Sequence, residues 1–206
     1  MSSVTDPYPP QEKGLRITSR ILEAMLDRPP DLLALQTHTP NPLWDEELLA
    51  VLSSKCALSV QISVETDIER FPAPIPRHAY SVAARIAALA RLRRRGLETV
   101  AVVSPLWPIA DVESFAASLG EAAGFVVLDH YLLGDGSKDG ARTRHRLALA
   151  GRTFPDLLVA AGYADWTRRE ALDRVRDAFV ARLGADRVGV SKEGFDRAAH
   201  RLIARR

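Results

Sequence analysis

Sulfur is almost missing from this 206-residue chain. Cys56 is the single cysteine, which excludes a disulfide framework and any zinc site built on cysteines within the chain. A reducing, cytoplasmic setting is expected. Long apolar runs are missing as well. No stretch approaches the ~18 consecutive apolar residues of a membrane span, so no membrane contact is expected. The opening MSSVTDPYPPQEK has no basic segment followed by an apolar one and does not read as a secretory signal. There is no internal repeat and no low-complexity block. No aromatic ladder interleaves the basic residues, so the residues themselves give no support to direct nucleic-acid binding.

What remains is an ordinary globular balance, 47% hydrophobic and 26% charged, in a chain long enough for one domain or part of a larger protein. The net charge of +2 hides an asymmetry. Residues 1–141 carry 13 basic and 18 acidic groups, whereas residues 142–206 carry 15 and 8. Such a tail can meet phosphate or an acidic partner, and it reads equally as the solvated face of helices.

Apolar spacing alternates between helix and strand. A helix is expected from about Arg16 to Leu26, with Ile17, Ile21, Leu22 and Met25 at helical spacing and Pro29-Pro30 beyond its end. Strands are expected at Leu32–Leu35, Leu58–Val64, Thr99–Ser104 and Phe125–His130. Helices between them are expected near Asp45–Leu52, over Val82–Arg95 with Gly96 as its terminator, and from an N-cap at Asp111. The strand runs are nearly continuous in apolar residues, as when helices cover both faces of a parallel sheet. The chain therefore reads as α/β, with a barrel-like or an open parallel sheet. After about residue 152, helices at Thr167–Leu183 and Glu193–Arg205 (Phe195, Ala199, Leu202 and Ile203 inward) flank a brief run, Arg187–Val190. This segment is expected to pack on the sheet as a C-terminal extension.

Ligands in α/β proteins gather beyond the carboxyl ends of the parallel strands. Here those ends release Gln36-Thr37-His38-Thr39, Ser63-Val64-Glu65-Thr66-Asp67, Ser104-Pro105 and Asp129-His130-Tyr131. His38 and His130 each suit a ligand donor or a general acid/base, or a histidine that hydrogen-bonds loop backbone. Adjacent strand residues point to opposite faces, which argues against a direct Asp129–His130 pair. The glycine-rich loop Gly134–Arg142, with Arg144 and Arg146 after it, can cradle a phosphate or carboxylate; a solvated loop explains it as well. Arg93-Arg94-Arg95 reads as an exposed helix end.

Several segments, in their order along the chain, resemble the radical SAM superfamily, in the spore photoproduct lyase-like branch often labelled DNA repair photolyase. They are Thr5-Asp6-Pro7-Tyr8-Pro9-Pro10, Gln36-Thr37-His38-Thr39-Pro40, Val60–Asp67, the Arg85-x-x-x-Leu89 helix ending in Gly96, Val103–Pro108, and Leu128-Asp129-His130 with its GDGS loop. The resemblance covers roughly residues 3–150. It implies a partial (β/α) barrel over residues 1–151, with 152–206 as a helical extension packed on it. It also implies S-adenosylmethionine and a [4Fe-4S] cluster at the strand ends, where reductive cleavage gives a 5′-deoxyadenosyl radical. By the same resemblance Ser3, Thr5 and Asp6 lie by the methionine amino group, and Thr37 and His38 approach the cofactor carboxylate or ribose. Ser63 and Glu65 are cofactor-binding at the next strand end. Ser104, Asp129 and His130 are substrate-side candidates, and no catalytic residue is assigned.

The sequence departs from the family where it matters most. The cluster needs three thiolates in a CxxxCxxC loop, and this chain has one cysteine, elsewhere. It reads as the downstream portion of a radical SAM protein, inactive alone and holding neither the cofactor nor the cluster by itself. Two alternatives stand beside that reading: a cluster-less descendant that binds a nucleotide or a partner at the rim, and a non-catalytic subunit completed by another chain. Self-association, or a chain supplying a first βα unit, is the expected partnership; nucleic acid enters only by family analogy.

Overall fold

A computed structural model of the chain describes residues 5–75, 80–130, 147–149 and 151–204. Four strands, β1 (Leu32–Thr37), β2 (Ala57–Ser63), β3 (Glu98–Val103) and β4 (Phe125–Leu128), lie side by side in chain order, all parallel. A short antiparallel pair, β5 (Leu147–Leu149) with β6 (Arg152–Thr153), stands apart. The fifth strand of the main sheet is β7 (Val188–Val190), parallel to β4 and in register Val126 to Val188. The segment expected only to pack on the sheet therefore also enters it.

Strands laid down in one direction send every right-handed crossover to the same face. That face carries α3 (Glu46–Lys55), α4 (Val82–Arg94), α5 (Val112–Ala122) and, after the short α6 (Phe154–Ala160), α7 (Arg169–Leu183). Alternate strand residues, Leu35, Val60, Ile62, Ala101, Val103, Val126 and Leu128, form one core with Leu49, Leu52, Leu89, Leu92, Leu119 and Val175. Phe115 of α5 meets Phe179 of α7 edge to face at 6.0 Å.

The opposite face is covered by the last helix, α8 (Ser191–Ala204), which sets Phe195 and Ala198 against Val100, Val102, Phe125 and Val127. Its return is abrupt. Ser191 takes φ +52°, and Gly189 and Gly194 touch so closely that a Cβ on Gly194 would lie 2.7 Å from the Gly189 carbonyl carbon. Ala198 and Leu202 carry the buried side of α8. Ile203, expected inward, is exposed.

The N-terminal helix also differs from its expectation. It is two pieces, α1 (Glu12–Leu15) and α2 (Ile17–Ala24), broken at Arg16 with φ +50°. Ile17 and Ile21 are exposed, and the buried side of α2 is Thr18, Ser19 and Leu22. The reason is local: this side of α2 meets polar groups, with Thr18 Oγ1 donating to Pro7 O at 2.5 Å and Ser19 Oγ to Asp45 Oδ1 at 2.8 Å. Among the described residues no helix is long and apolar enough to cross a membrane.

Candidate functional site

The carboxyl ends of β1 and β2 open into a cleft of about 330 Å3, walled by Asp6, Pro9, Pro10, His38, Thr39, Glu65, Tyr80 and Arg85. Its floor is built by Asp6. One carboxylate oxygen accepts from Tyr8 N at 2.8 Å and Thr37 Oγ1 at 2.6 Å, and the other accepts from His38 N at 2.8 Å. One side chain thus closes its own turn and fastens that turn to the end of β1. Thr37 Oγ1 accepts in turn from Thr39 N at 3.1 Å.

Behind the loop, Tyr8 is buried and donates to Asp45 Oδ2 at 2.9 Å. Burial, together with the Asp45 charge, drives its phenol well above the ordinary tyrosine range, so Tyr8 is a fixed donor. Asn41 Nδ2 donates to Tyr8 O at 3.0 Å and Tyr80 OH at 3.1 Å, joining the loop to the far wall of the cleft.

The charged centre is Glu65. Its Oε2 accepts from Arg85 Nη1 at 2.6 Å, and its Oε1 accepts from His38 Nδ1–H at 3.1 Å. Burial alone would raise the Glu65 pKa. The His38 hydrogen bond and the Arg85 charge outweigh it and hold the carboxyl down at about 2. The same hydrogen bond lifts the His38 imidazolium above the ordinary histidine range, against the opposing effect of burial. With Nδ1–H pinned, Nε2 is the atom His38 can present, from a side chain that is 61% exposed.

Arg85 is the unusual member. It is 2% exposed, and its Nη1 serves both Glu65 and the Ser63 carbonyl, the latter at 2.7 Å. Its Nε and Nη2 are buried and make no hydrogen bond. Buried guanidinium donors are ordinarily satisfied, so these two are hydrogen-bonding capacity left unused behind the cleft wall.

Of the residues expected at the rim, Asp6, His38 and Glu65 line the cleft. Thr37 lies beneath it, holding the loop. Thr5 is exposed at the loop's start. Ser63 is buried with an unpartnered Oγ, on the strand face that looks toward α8. Ser3 and the loop Gly134–Arg142, with Arg144 and Arg146, lie outside the described residues. Ser104 Oγ donates to Asp129 Oδ2 at 3.2 Å. His130 is buried, Nε2–H facing Trp166 O at 3.2 Å, and burial lowers its pKa. These three do not line the cleft. Thr66 and Asp67 brace the loop before α5 instead, Thr66 Oγ1 donating to Pro108 O and Asp67 accepting from the backbone N–H groups of Ala110 and Asp111.

Sequence reasoning missed Arg85, Tyr80, Tyr8 and Asp45 as site-building residues. For Arg85 the signal was available. It falls three residues after Val82 and four before Leu89, on the apolar face of α4, where a cation needs a buried counter-charge.

Cys56 is buried at the start of β2, and seven strand residues put it about 20 Å from the rim. Among the described residues no three or more His, Cys, Asp or Glu side chains are placed to hold a metal ion. No family model matches the chain, and no curated protein matches it.

Proposed function

We propose that the cleft at the ends of β1 and β2 binds S-adenosylmethionine, on the rim of a partial radical SAM-like (β/α) barrel. One observation carries this reading: the buried Arg85 guanidinium keeps two unused donors behind the wall of a cleft that Asp6 and Glu65 also line. An amino-acid group is complementary to that set, since it brings a carboxylate acceptor together with cationic centres. The parallel strands in chain order support the barrel part of the reading.

In this reading Arg85 receives the cofactor carboxylate through Nε and Nη2, while Glu65 holds Arg85 and His38 in place. Asp6 fixes the loop that carries Pro9 and Pro10 into the cleft wall. His38 adds a further polar contact through Nε2. The cofactor, in the enzymes this chain resembles, supplies a 5′-deoxyadenosyl radical when a [4Fe-4S] cluster reduces it.

The residues present do not fit the cluster. It needs three thiolates; the one here lies at the wrong end of β2. No step of reductive cleavage is therefore assigned to this chain. In this reading the chain is a cofactor-binding portion, with the thiolates supplied from outside it. Anaerobic incubation with iron, sulfide and S-adenosylmethionine tests both halves. Cofactor retained by the protein, contrary to the expectation from the sequence that the chain alone holds none, is expected here, without stoichiometric cluster and without 5′-deoxyadenosine. Release of 5′-deoxyadenosine by the chain alone contradicts the second half, and no retained cofactor contradicts the first.

A further inference from the structure

At the opposite ends of the strands, three arginines from three separate elements converge. Arg93 ends α4, Arg187 precedes β7 and Arg201 lies in α8, and together they line a cavity of about 430 Å3. Arg93 Nη1 donates to the carbonyls of Gly120, Glu121 and Ala123 at 3.0, 2.8 and 3.1 Å. Arg187 Nη2 donates to Gly120 O at 2.6 Å and Ala123 O at 2.8 Å, and its Nε reaches Gly124 O at 3.4 Å. Two guanidiniums therefore share two carbonyl acceptors at the end of α5.

A helix carboxyl end accounts for one cation. It does not account for two side by side, with a third beside them. Neither Arg93 nor Arg187 makes an ion pair among the described residues, and the contact of Arg201 with Asp186 spans 4.0 Å. Burial lowers the pKa of Arg187, and the Arg93 charge lowers it further. Glu98 and Asp186 are the acidic side chains on the wall, two against three. Arg93 keeps Nε and Nη2, and Arg187 keeps Nη1, as donors with no protein partner among the described residues.

We propose that this cavity binds a small phosphate-bearing anion. A tetrahedral dianion accepts from several N–H groups arriving in different directions, which suits guanidiniums drawn from separate elements. It also relieves the repulsion between Arg93 and Arg187. The cavity is larger than one phosphate needs, so a diphosphate or a phosphorylated metabolite fits the space. This site lies at the other end of the sheet from the cleft and does not depend on what the cleft binds.

The test is calorimetric titration of inorganic pyrophosphate into the full chain at constant ionic strength, with amide chemical shifts followed in parallel. Saturable binding is expected, with shifts at Gly96, Leu97 and Gly124. Arg93→Gln and Arg187→Gln should each weaken it ~10-fold or more, while Arg94→Gln, next to the cavity but not lining it, leaves it unchanged. If Arg187→Gln fails to fold, Arg93→Gln and Arg201→Gln decide. Absence of saturable binding overturns the proposal. So does equal weakening by Arg94→Gln, which would mean diffuse attraction to a basic surface.

Discussion

Arg85 and Glu65 form an ion pair 2.6 Å long between α4 and the end of β2, with the two side chains 3% and 10% exposed. Only one guanidinium nitrogen is used, and it also satisfies the Ser63 carbonyl. A pair meant purely for stability would use the two-pronged geometry that arginine and a carboxylate allow. Here Oε1 of Glu65 is turned to His38 instead, and Nε and Nη2 of Arg85 stay buried without a hydrogen-bond partner.

Breaking the pair from one side should be costly. Arg85→Met leaves Glu65 buried with His38 as its remaining charge partner, and a loss of about 3–5 kcal/mol is expected. Urea denaturation measures it. The double variant Arg85→Met/Glu65→Gln should recover much of that loss, because the stranded charge is gone. A double variant less stable than the single one would contradict the account.

His38 and His130 should titrate in opposite directions. Nuclear magnetic resonance should place His38 above the ordinary histidine midpoint and His130 below it, following their directions of shift. Glu65→Gln should bring His38 down and leave His130 alone. Glu65 also sets an acid limit. Its folded value of about 2 lies below the ~4.3 of an unfolded glutamate. Its contribution is therefore complete above ~4.3 and is lost as pH falls toward 2. Glu65→Gln should flatten that part of the stability profile, and an unchanged acid slope would count against the assignment.

Asp6 is expected to matter more than its half-exposed position suggests. Asp6→Ala removes three hydrogen bonds, one that closes the Tyr8 turn and two that join it to the end of β1, at a cost of about 2 kcal/mol. The His38 amide should lose its protection from hydrogen exchange. Tyr8→Phe, by contrast, should cost about 1 kcal/mol and leave that amide protected, since Ser19 still serves Asp45. Equal loss of protection in the two variants would mean that the loop is held from behind, not by Asp6.

The seating of α8 rests on backbone contact. Gly194→Ala would push a methyl group into Gly189 and against Val127, and a loss of about 1–3 kcal/mol is expected. Limited proteolysis should then cut α8 first. Resistance equal to the natural chain would show that the contact has slack.

The parallel sheet was most legible in β3 and β4, which are buried along nearly their whole length and read as almost continuous apolar runs, whereas β1 alternates buried with more exposed positions and β2 carries Ser59, Gln61 and Ser63. Val188–Val190 is too short for that signal, and only its pairing with β4 makes it a strand of the sheet. Asp6 was named only through the family resemblance, whereas the rim rule located His38 and Glu65 because strand ends must surface there. It could not tell Glu65, which faces the cleft, from Thr66 and Asp67, which hold a loop, because that choice depends on the partner each side chain meets. Ile17 and Ile21 sit at core spacing yet face outward. Periodicity marks one side of a helix, and here that side was not the one that packs.

The central claim is that Arg85 receives the carboxylate of S-adenosylmethionine. Calorimetric titration with the intact cofactor and with its decarboxylated form tests it most directly, on the natural chain and on Arg85→Gln. The account predicts saturable binding of the intact cofactor, weakened ~10-fold or more by loss of either the carboxylate or the guanidinium, with no further loss when both are removed. Equal affinity for the two ligands, or no binding of the intact one, would contradict it.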